Sequence, residues 1–173
     1  MPNNIQISKV NVKDAATLLE LSRTTFFDAF LHQNNPADME AYAAAAFTLP
    51  KIQLELNNPD SEFYFALVGG AVAGYLKLNY NAAQTELKDA HAVEVERIYV
   101  LNSFQGQQVG KQLMEFAMQQ ATSRQLKYIW LGVWEHNTKA IGFYKIKGFG
   151  PFGSHNFMLG SDEQTDILMK KEL

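Results

Sequence analysis

The chain has no cysteine in its 173 residues. That one absence removes disulfides, thiolate metal sites and a cysteine nucleophile, and it fits a reducing compartment. Histidine is scarce too. His91, His136 and His155 show no metal-ligand spacing, so no metal is expected. The net charge is only -3, which offers no basic surface to nucleic acid or to an anionic membrane. No apolar run is long enough to span a bilayer, and the opening "MPNNIQISKV" lacks the apolar core of a signal peptide. Repeats, linkers and low-complexity segments are missing as well. The expectation is a soluble, cytoplasmic protein with a single domain over residues 1–173, built on a chain that is 47% hydrophobic.

What is present reads as alternating strands and helices. "IQISKV" alternates and predicts a first strand. Ala15, Leu18, Leu19, Ser22, Phe26 and Phe30 recur at helical spacing, with Asp14 at the helix start. "ADMEAYAAAAF" predicts a second helix, and Pro50 opens a third. "EFYFALV" and "AVAGYLKLN" flank a Gly-Gly turn as a hairpin. "HAVEVERIYV" predicts a long strand with Val93, Val95, Arg97 and Tyr99 on one face and Glu94, Glu96, Ile98 and Val100 on the other. A helix from Val109 to about Arg124, the strand "KYIWLGVW", a helix capped by Asn137 and stopped at Gly148, and two closing strands complete the chain. The order β-ααα-ββ-β-α-β-α-ββ predicts an α/β fold, a mixed sheet with helices on both faces.

The segment "LNSFQGQQVGKQ" joins a strand to a helix. The first-turn amides of that helix have no intrahelical partner and lie at the positive end of its dipole. Gly106 and Gly110 carry no Cβ to keep an anion away from them. Gln105 and Gln107 can add amide donors, and Lys111 can add charge. Gln112 after the lysine excludes a P-loop, and the spacing excludes a dinucleotide fingerprint. A tight turn kept for packing alone is the competing reading at this point.

Two motifs together resemble the GNAT superfamily of acyl-CoA-dependent N-acyltransferases. Gln105-x-x-Gln108-x-Gly110 is similar to the pyrophosphate signature Q/R-x-x-G-x-G/A, with Gln108 where the family has its first glycine. Asn137, Ala140, Phe143, Tyr144, Gly148 and Phe149 follow the family's second pattern. The resemblance implies a GNAT fold along essentially the whole chain, with a mostly antiparallel sheet of about seven strands. "FQGQQVGKQL", "LGVWEHNTKAIGFY" and "DEQTDILM" are most similar to the bacterial polyamine acetyltransferase type.

The resemblance further implies that acetyl-CoA lies in a splay between the "ERIYV" and "YIWLGVW" strands. There the backbone from Ile98 through Tyr99 to Val100 takes the pantetheine, and an amide near Ile98 faces the oxyanion. The pyrophosphate falls to Gln105, Gly106, Gln107, Gln108, Val109, Gly110 and Lys111, and Asn137, Ala140, Phe143 and Tyr144 border the cofactor. Tyr144 is the implied acid. A phenol of pKa about 10 lies within roughly two units of a thiol and can protonate the leaving thiolate. Glu96 is the implied base, directly or through water; a salt-bridged strand face with Arg97 is the competing reading. For Glu94 the structural reading, a solvated or salt-bridged face, is preferred. His155 is a candidate on the acceptor side. Phe26, Phe27, Phe30 and Tyr42 read as core, with a pocket role as the alternative. The expected function is acetyl transfer to a primary amine in a ternary complex. The acceptor is a small amine or polyamine, and the enzyme is a monomer or homodimer. The alternatives are a non-catalytic CoA sensor and a peptide or protein N-acetyltransferase.

Overall fold

The computed structural model describes residues 4–173, so the first three residues of the "MPNNIQISKV" stretch lie outside the described residues. The strands are β1 (Ile5–Lys9), β2 (Ser61–Val68), β3 (Ala71–Tyr80), β4 (Ala92–Val100), β5 (Tyr128–Trp134), β6 (Gly150–Leu159) and β7 (Asp162–Glu172). The helices are α1 (Ala15–Phe30), α2 (Pro36–Ala46), α3 (Leu49–Asn57), α4 (Val109–Ser123) and α5 (Thr138–Ile146). The seven strands form one sheet in the order β1-β2-β3-β4-β5-β7-β6. Only β4 and β5 run parallel; every other neighbouring pair is antiparallel. No helix among the described residues is long and apolar enough to cross a membrane.

Local chemistry sets the helix starts. Asn35 Oδ1 accepts from the Ala37 amide at 2.8 Å with Pro36 behind it, and Thr48 Oγ1 accepts from Lys51 at 3.3 Å next to Pro50. Asn137 Oδ1 accepts from the Ala140 amide at 3.2 Å and caps α5. Asp14 carries no side-chain cap bond to α1; its Oδ2 instead accepts from Asn11 at 3.2 Å.

The sheet separates two apolar layers. On one face α4 and α5 cover Leu76, Leu78, Val93, Val95, Ile129, Leu131 and Val133 with Val109, Leu113, Met114, Ala117 and Tyr144. On the other, α1 and α3 cover Phe63, Phe65 and Tyr75 with Leu18, Leu21 and Ile52. Next to that layer, Phe26, Met39, Ala43 and Phe47 enclose Leu159 of β6. The β6–β7 turn is tied down from above: the Ser161 amide and hydroxyl both donate to Asp38 Oδ1 of α2, at 3.0 and 2.8 Å.

One expectation about β4 needs correcting. In its register with β3, Lys77 faces Arg97 and Leu78 faces Val95. Glu96 is therefore an extra residue, a β-bulge, and a bulge resets the alternation of faces. Val93 and Val95 share the α4 layer with Ile98 and Val100, while Tyr99 packs in the layer under α1 and α3. Strict period-2 counting through "EVERIYV" had put these on the wrong partners. Near the other end of that pairing, Gly74 lies opposite Val100, and a Cβ there would overlap the Tyr99 carbonyl oxygen.

Candidate active site

Pairing between β4 and β5 runs from Ala92 and Tyr128 to Val95 and Leu131, then stops. Beyond it Arg97–Val100 stays on β3 and Gly132–Trp134 stays on β7. The two parallel strands part where the Glu96 bulge adds local twist to β4. Their facing edges are left without a strand partner, which is the splay expected for an acyl carrier lying between them. Ile98, Tyr99 and Val100 stand along one side of it.

The loop after β4 delivers α4 to the mouth of this gap. The Gln112 amide is bonded to the Gln108 carbonyl at 3.0 Å, and no side chain caps the helix. The amides of Val109, Gly110 and Lys111 lie ahead of that first bond with no acceptor among the described residues. Gly106 has φ +79°, a left-handed conformation that glycine adopts without strain. Gln108 has φ +69°, ψ +14°. The chain thus places a glutamine in a left-handed geometry that glycine would adopt without strain, at a cost of about 1–2 kcal/mol. A Cβ at Gly110 would meet only Val100 Cγ2 at 3.8 Å, an ordinary contact. Gln105 and Gln107 do not behave as free amide donors. Gln105 Nε2 turns to the Val100 carbonyl at 3.4 Å and Asn102 Oδ1 at 3.3 Å, and Gln107 Nε2 turns to the Ser103 carbonyl at 3.4 Å. Lys111 is exposed on the first turn.

Tyr144 comes from α5 and is only 8% exposed. Its ring meets Phe143 and Phe149 with centroids 5.6 and 5.9 Å away. Burial alone pushes its hydroxyl well above the usual phenol range, and the hydroxyl has no hydrogen-bond partner among the described residues. Tyr99, on the opposite layer, lies within Coulomb reach of Tyr144, Tyr75 and Tyr42. Ala140 and Phe143 pack against the α4 layer.

Glu96 sits in a charged network that sequence reasoning only half anticipated. Its Oε2 lies 2.5 Å from Lys77 Nζ and 3.5 Å from Arg97 Nε, and both cations also reach Glu55 Oε1, at 3.3 and 3.0 Å. Burial would raise the Glu96 carboxyl; Arg97 and Lys77 outweigh it and hold the group below the ordinary glutamate value. The missed members are Lys77 and Glu55. A lysine between Leu76 and Leu78 in an apolar strand was the available signal, since such a charge must find a partner.

Glu94 departs from the solvated or salt-bridged face expected for it. It is buried, accepts from Asn79 Nδ2 at 3.0 Å and the Thr85 amide at 2.8 Å, and takes the Thr85 hydroxyl at 2.6 Å. Burial raises its carboxyl despite these bonds. Its work is to anchor the β3–β4 loop.

A group of rings stands beside the free part of β4. Phe30 stands edge-on to Tyr99 and Trp134, at 6.3 and 5.9 Å. Tyr42 stacks on the buried Phe26 at 5.1 Å and feels the charges of Arg97, Glu96, Asp166 and Glu55. Phe26 itself is core, as its spacing suggested. Phe27 packs edge-on to Phe26 at 5.7 Å beside Arg23.

A model of the Acetyltransferase (GNAT) family matches residues 16–149. The chain belongs to the GNAT acetyltransferase family. GNAT enzymes use acetyl-CoA, so this is an acetyl-CoA-dependent N-acetyltransferase, and the expected α/β fold is the one observed. It is 44% identical over 169 residues, 98% of both chains, to an uncharacterized N-acetyltransferase in the pepI 3′ region of Lactobacillus delbrueckii subsp. lactis. Its fold is similar to PaiA N-acetyltransferase from Thermoplasma acidophilum, solved in complex with coenzyme A (TM-score 0.81, 21% identity, 98% of this chain and 99% of that one). It is also similar to the ribosomal-protein-S18-alanine N-acetyltransferase of Escherichia coli (TM-score 0.73, 15% identity, 98% and 94% covered). Against the GNAT signature the chain's one departure is Gln108, and there the backbone still takes the left-handed turn.

Proposed function

We propose that this enzyme acetylates a small primary amine that is cationic in solution, with polyamines as the leading class. The observation that carries the reading is the unpaired gap between β4 and β5, opening beside the acceptor-free amides of α4. In this reading Val109, Gly110 and Lys111 hold the pyrophosphate with their amides, with Gln105, Gly106, Gln107 and Gln108 forming the loop around it. The β4 edge at Ile98–Val100 holds the pantetheine amides, and Asn137, Ala140 and Phe143 close the α5 side. The bound thioester supplies the acetyl group.

Tyr144 donates its hydroxyl proton to the departing sulfur. The near match of ordinary phenol and thiol pKa values is widened here, because burial raises Tyr144. A thiolate released into the same desolvated gap is raised by the same cause, so the transfer stays close to balanced. Glu96 faces the other reactant. Paired with Lys77 and Arg97 it stays anionic and is a weak base, so its part is to hold the incoming ammonium or a water beside β4. An ammonium of pKa about 10.4 lies roughly 3.4 units above neutral pH, so the site must also remove a proton, at about 4–5 kcal/mol.

The cationic acceptor is favoured by the carboxylates of Glu96 and Asp166 around a wall of Phe30, Tyr42, Tyr99 and Trp134 rings, which suits an ammonium on a methylene chain. Because the fold also resembles an enzyme that acetylates a protein, a peptide α-amine belongs in the test. Calorimetry with CoA, followed by thiol release with spermidine, a simple alkylamine and an alanine-initiated peptide, decides it. Turnover of the amines over the peptide is expected. No CoA binding at millimolar ligand ends the reading, and preference for the peptide replaces the acceptor class.

A further inference from the structure

Three ionisable side chains line up from the gap to the surface, and the reading above uses only the innermost as an attractive charge. Asp166 is on β7, paired with Trp134 of β5. Its Oδ2 lies 3.6 Å from His155 Nε2 on β6, and His155 Nδ1 lies 3.2 Å from Glu86 Oε1 in the β3–β4 loop. Exposure rises along the row, with side chains 22%, 26% and 34% exposed from Asp166 through His155 to Glu86. His155 Nδ1 is buried and makes no well-formed hydrogen bond among the described residues; Glu86 Oε1 is the carboxylate oxygen beside it.

The row ends over the gap. Gly132 is the first residue of β5 past the last pair with β4. A Cβ at Gly132 would stand 3.5 Å from both Asp166 Oδ2 and His155 Cε1. With no side chain there, the Asp166 carboxylate and the His155 ring lie close over the β5 backbone at the point where β5 parts from β4. Tyr42 of α2 feels the charge of Asp166 and also those of Glu96, Arg97 and Glu55. The groups around Asp166 are thus His155 from β6, Glu86 behind it and Tyr42 from α2, which also feels Glu96 and Arg97 of β4 and Glu55 of α3.

We propose that Asp166, His155 and Glu86 form the proton exit for the acceptor amine, with Asp166 as the group that takes the proton and His155 and Glu86 as positioning and relay residues. The proposal rests on the amine-acetylation reading. The ammonium gives one proton to the Asp166 carboxylate and becomes a neutral amine. Its lone pair forms the new C–N bond as the C–S bond breaks, and the sulfur takes a proton from Tyr144. The nitrogen's second surplus proton restores Tyr144 through solvent. The proton on Asp166 passes to His155 Nε2, and the imidazole gives up its Nδ1 proton to Glu86 and water. One proton is released per acetyl transferred. Burial raises the Asp166 carboxyl to about 6, whereas Glu96 is held down, so of the two carboxylates Asp166 is the better matched base near neutrality.

The test compares two acceptors. An alkylamine must lose a proton before it attacks, and trifluoroethylamine is already largely neutral at pH 7. Asp166→Asn should lower kcat for the alkylamine by about a hundredfold or more, lower it far less for trifluoroethylamine, and leave the CoA Kd within about twofold. His155→Gln should show the same asymmetry in weaker form, with partial rescue by added imidazole. Equal losses for both amines, or no loss, with CoA binding intact would overturn the relay. Should Asp166→Asn fail to fold, His155→Gln against the same pair carries the decision. Wild-type enzyme that turns over no amine removes the acceptor reading and the relay with it; an active wild type with an unmoved variant removes the relay alone.

Discussion

Lys77 Nζ lies 2.5 Å from Glu96 Oε2, and Glu96 is the residue that β4 has in excess over β3. The bulge that unpairs Glu96 also presents its carboxylate to a lysine that is itself only 4% exposed. Removing the cation would leave Glu96 and Glu55, both partly buried, to share Arg97 alone. Lys77→Met should destabilise the fold by about 3 kcal/mol in urea titrations at pH 7. The pH sign follows from the lowered carboxyl. Its stabilisation is present above the ordinary value of 4.5 and is lost as pH falls through the lower folded value. Without Lys77 that acid loss should begin at higher pH.

Gly74 and Gly110 make a matched contrast. A methyl at Gly74 would overlap the Tyr99 carbonyl, while one at Gly110 meets Val100 Cγ2 at 3.8 Å. Gly74→Ala should cost about 1–3 kcal/mol, and Gly110→Ala should stay within about 0.5 kcal/mol. Thermal and denaturant unfolding of the pair checks this.

The left-handed Gln108 gives a prediction of the opposite sign. Gln108→Gly relieves about 1–2 kcal/mol of strain against about 0.5–1 kcal/mol of added backbone entropy in the unfolded chain. A small net gain in stability is expected, with equal or tighter CoA binding by calorimetry. Gln108→Val, β-branched at positive φ, should weaken both.

Tyr144→Phe should separate chemistry from structure. The hydroxyl has no partner among the described residues, so its loss leaves none of them unpaired, and the melting temperature should hold or rise. Turnover should fall about a hundredfold or more at unchanged CoA affinity. Wild-type turnover in the variant would remove Tyr144 from the reaction.

Asp166 is held ionised against its surroundings. Its carboxyl is raised from 3.8 to about 6 by burial, with His155 opposing. A raised acid favours the native state only at low pH; that advantage is lost as pH climbs from about 4 to 6. Asp166→Asn should therefore gain stability over wild type across that window and level off above it, at about 3 kcal/mol. A variant that is more stable and less active fits a group kept for function; one that is less stable at every pH does not.

The order of elements was legible in the chain. Helix caps at Asn35, Thr48 and Asn137, the Gly-Gly hairpin and the period of each apolar run are local, and local chemistry decides them. The strand–loop–helix mouth was legible for the same reason: its donors are main chain, and Gly106 and Gly110 mark it. Tyr144 is singled out in the sequence only by its motif, and its part in the reaction is a proposal.

The charged half of the site was not. Lys77 and Glu96 meet through a bulge, and a bulge is a mismatch between two strands that neither strand announces alone. Tertiary packing likewise decided Glu94, which looks like a surface acid until Asn79 and Thr85 close over it. Asp166, His155 and Glu86 come from β7, β6 and the β3–β4 loop, and they converge because β7 inserts between β5 and β6. The sequence by itself determined the scaffold and the open amides at the start of α4, because both depend on backbone and near neighbours. Which side chains share a charge was left to sheet order and register, because Coulomb interactions depend on distance in space and not on separation along the chain.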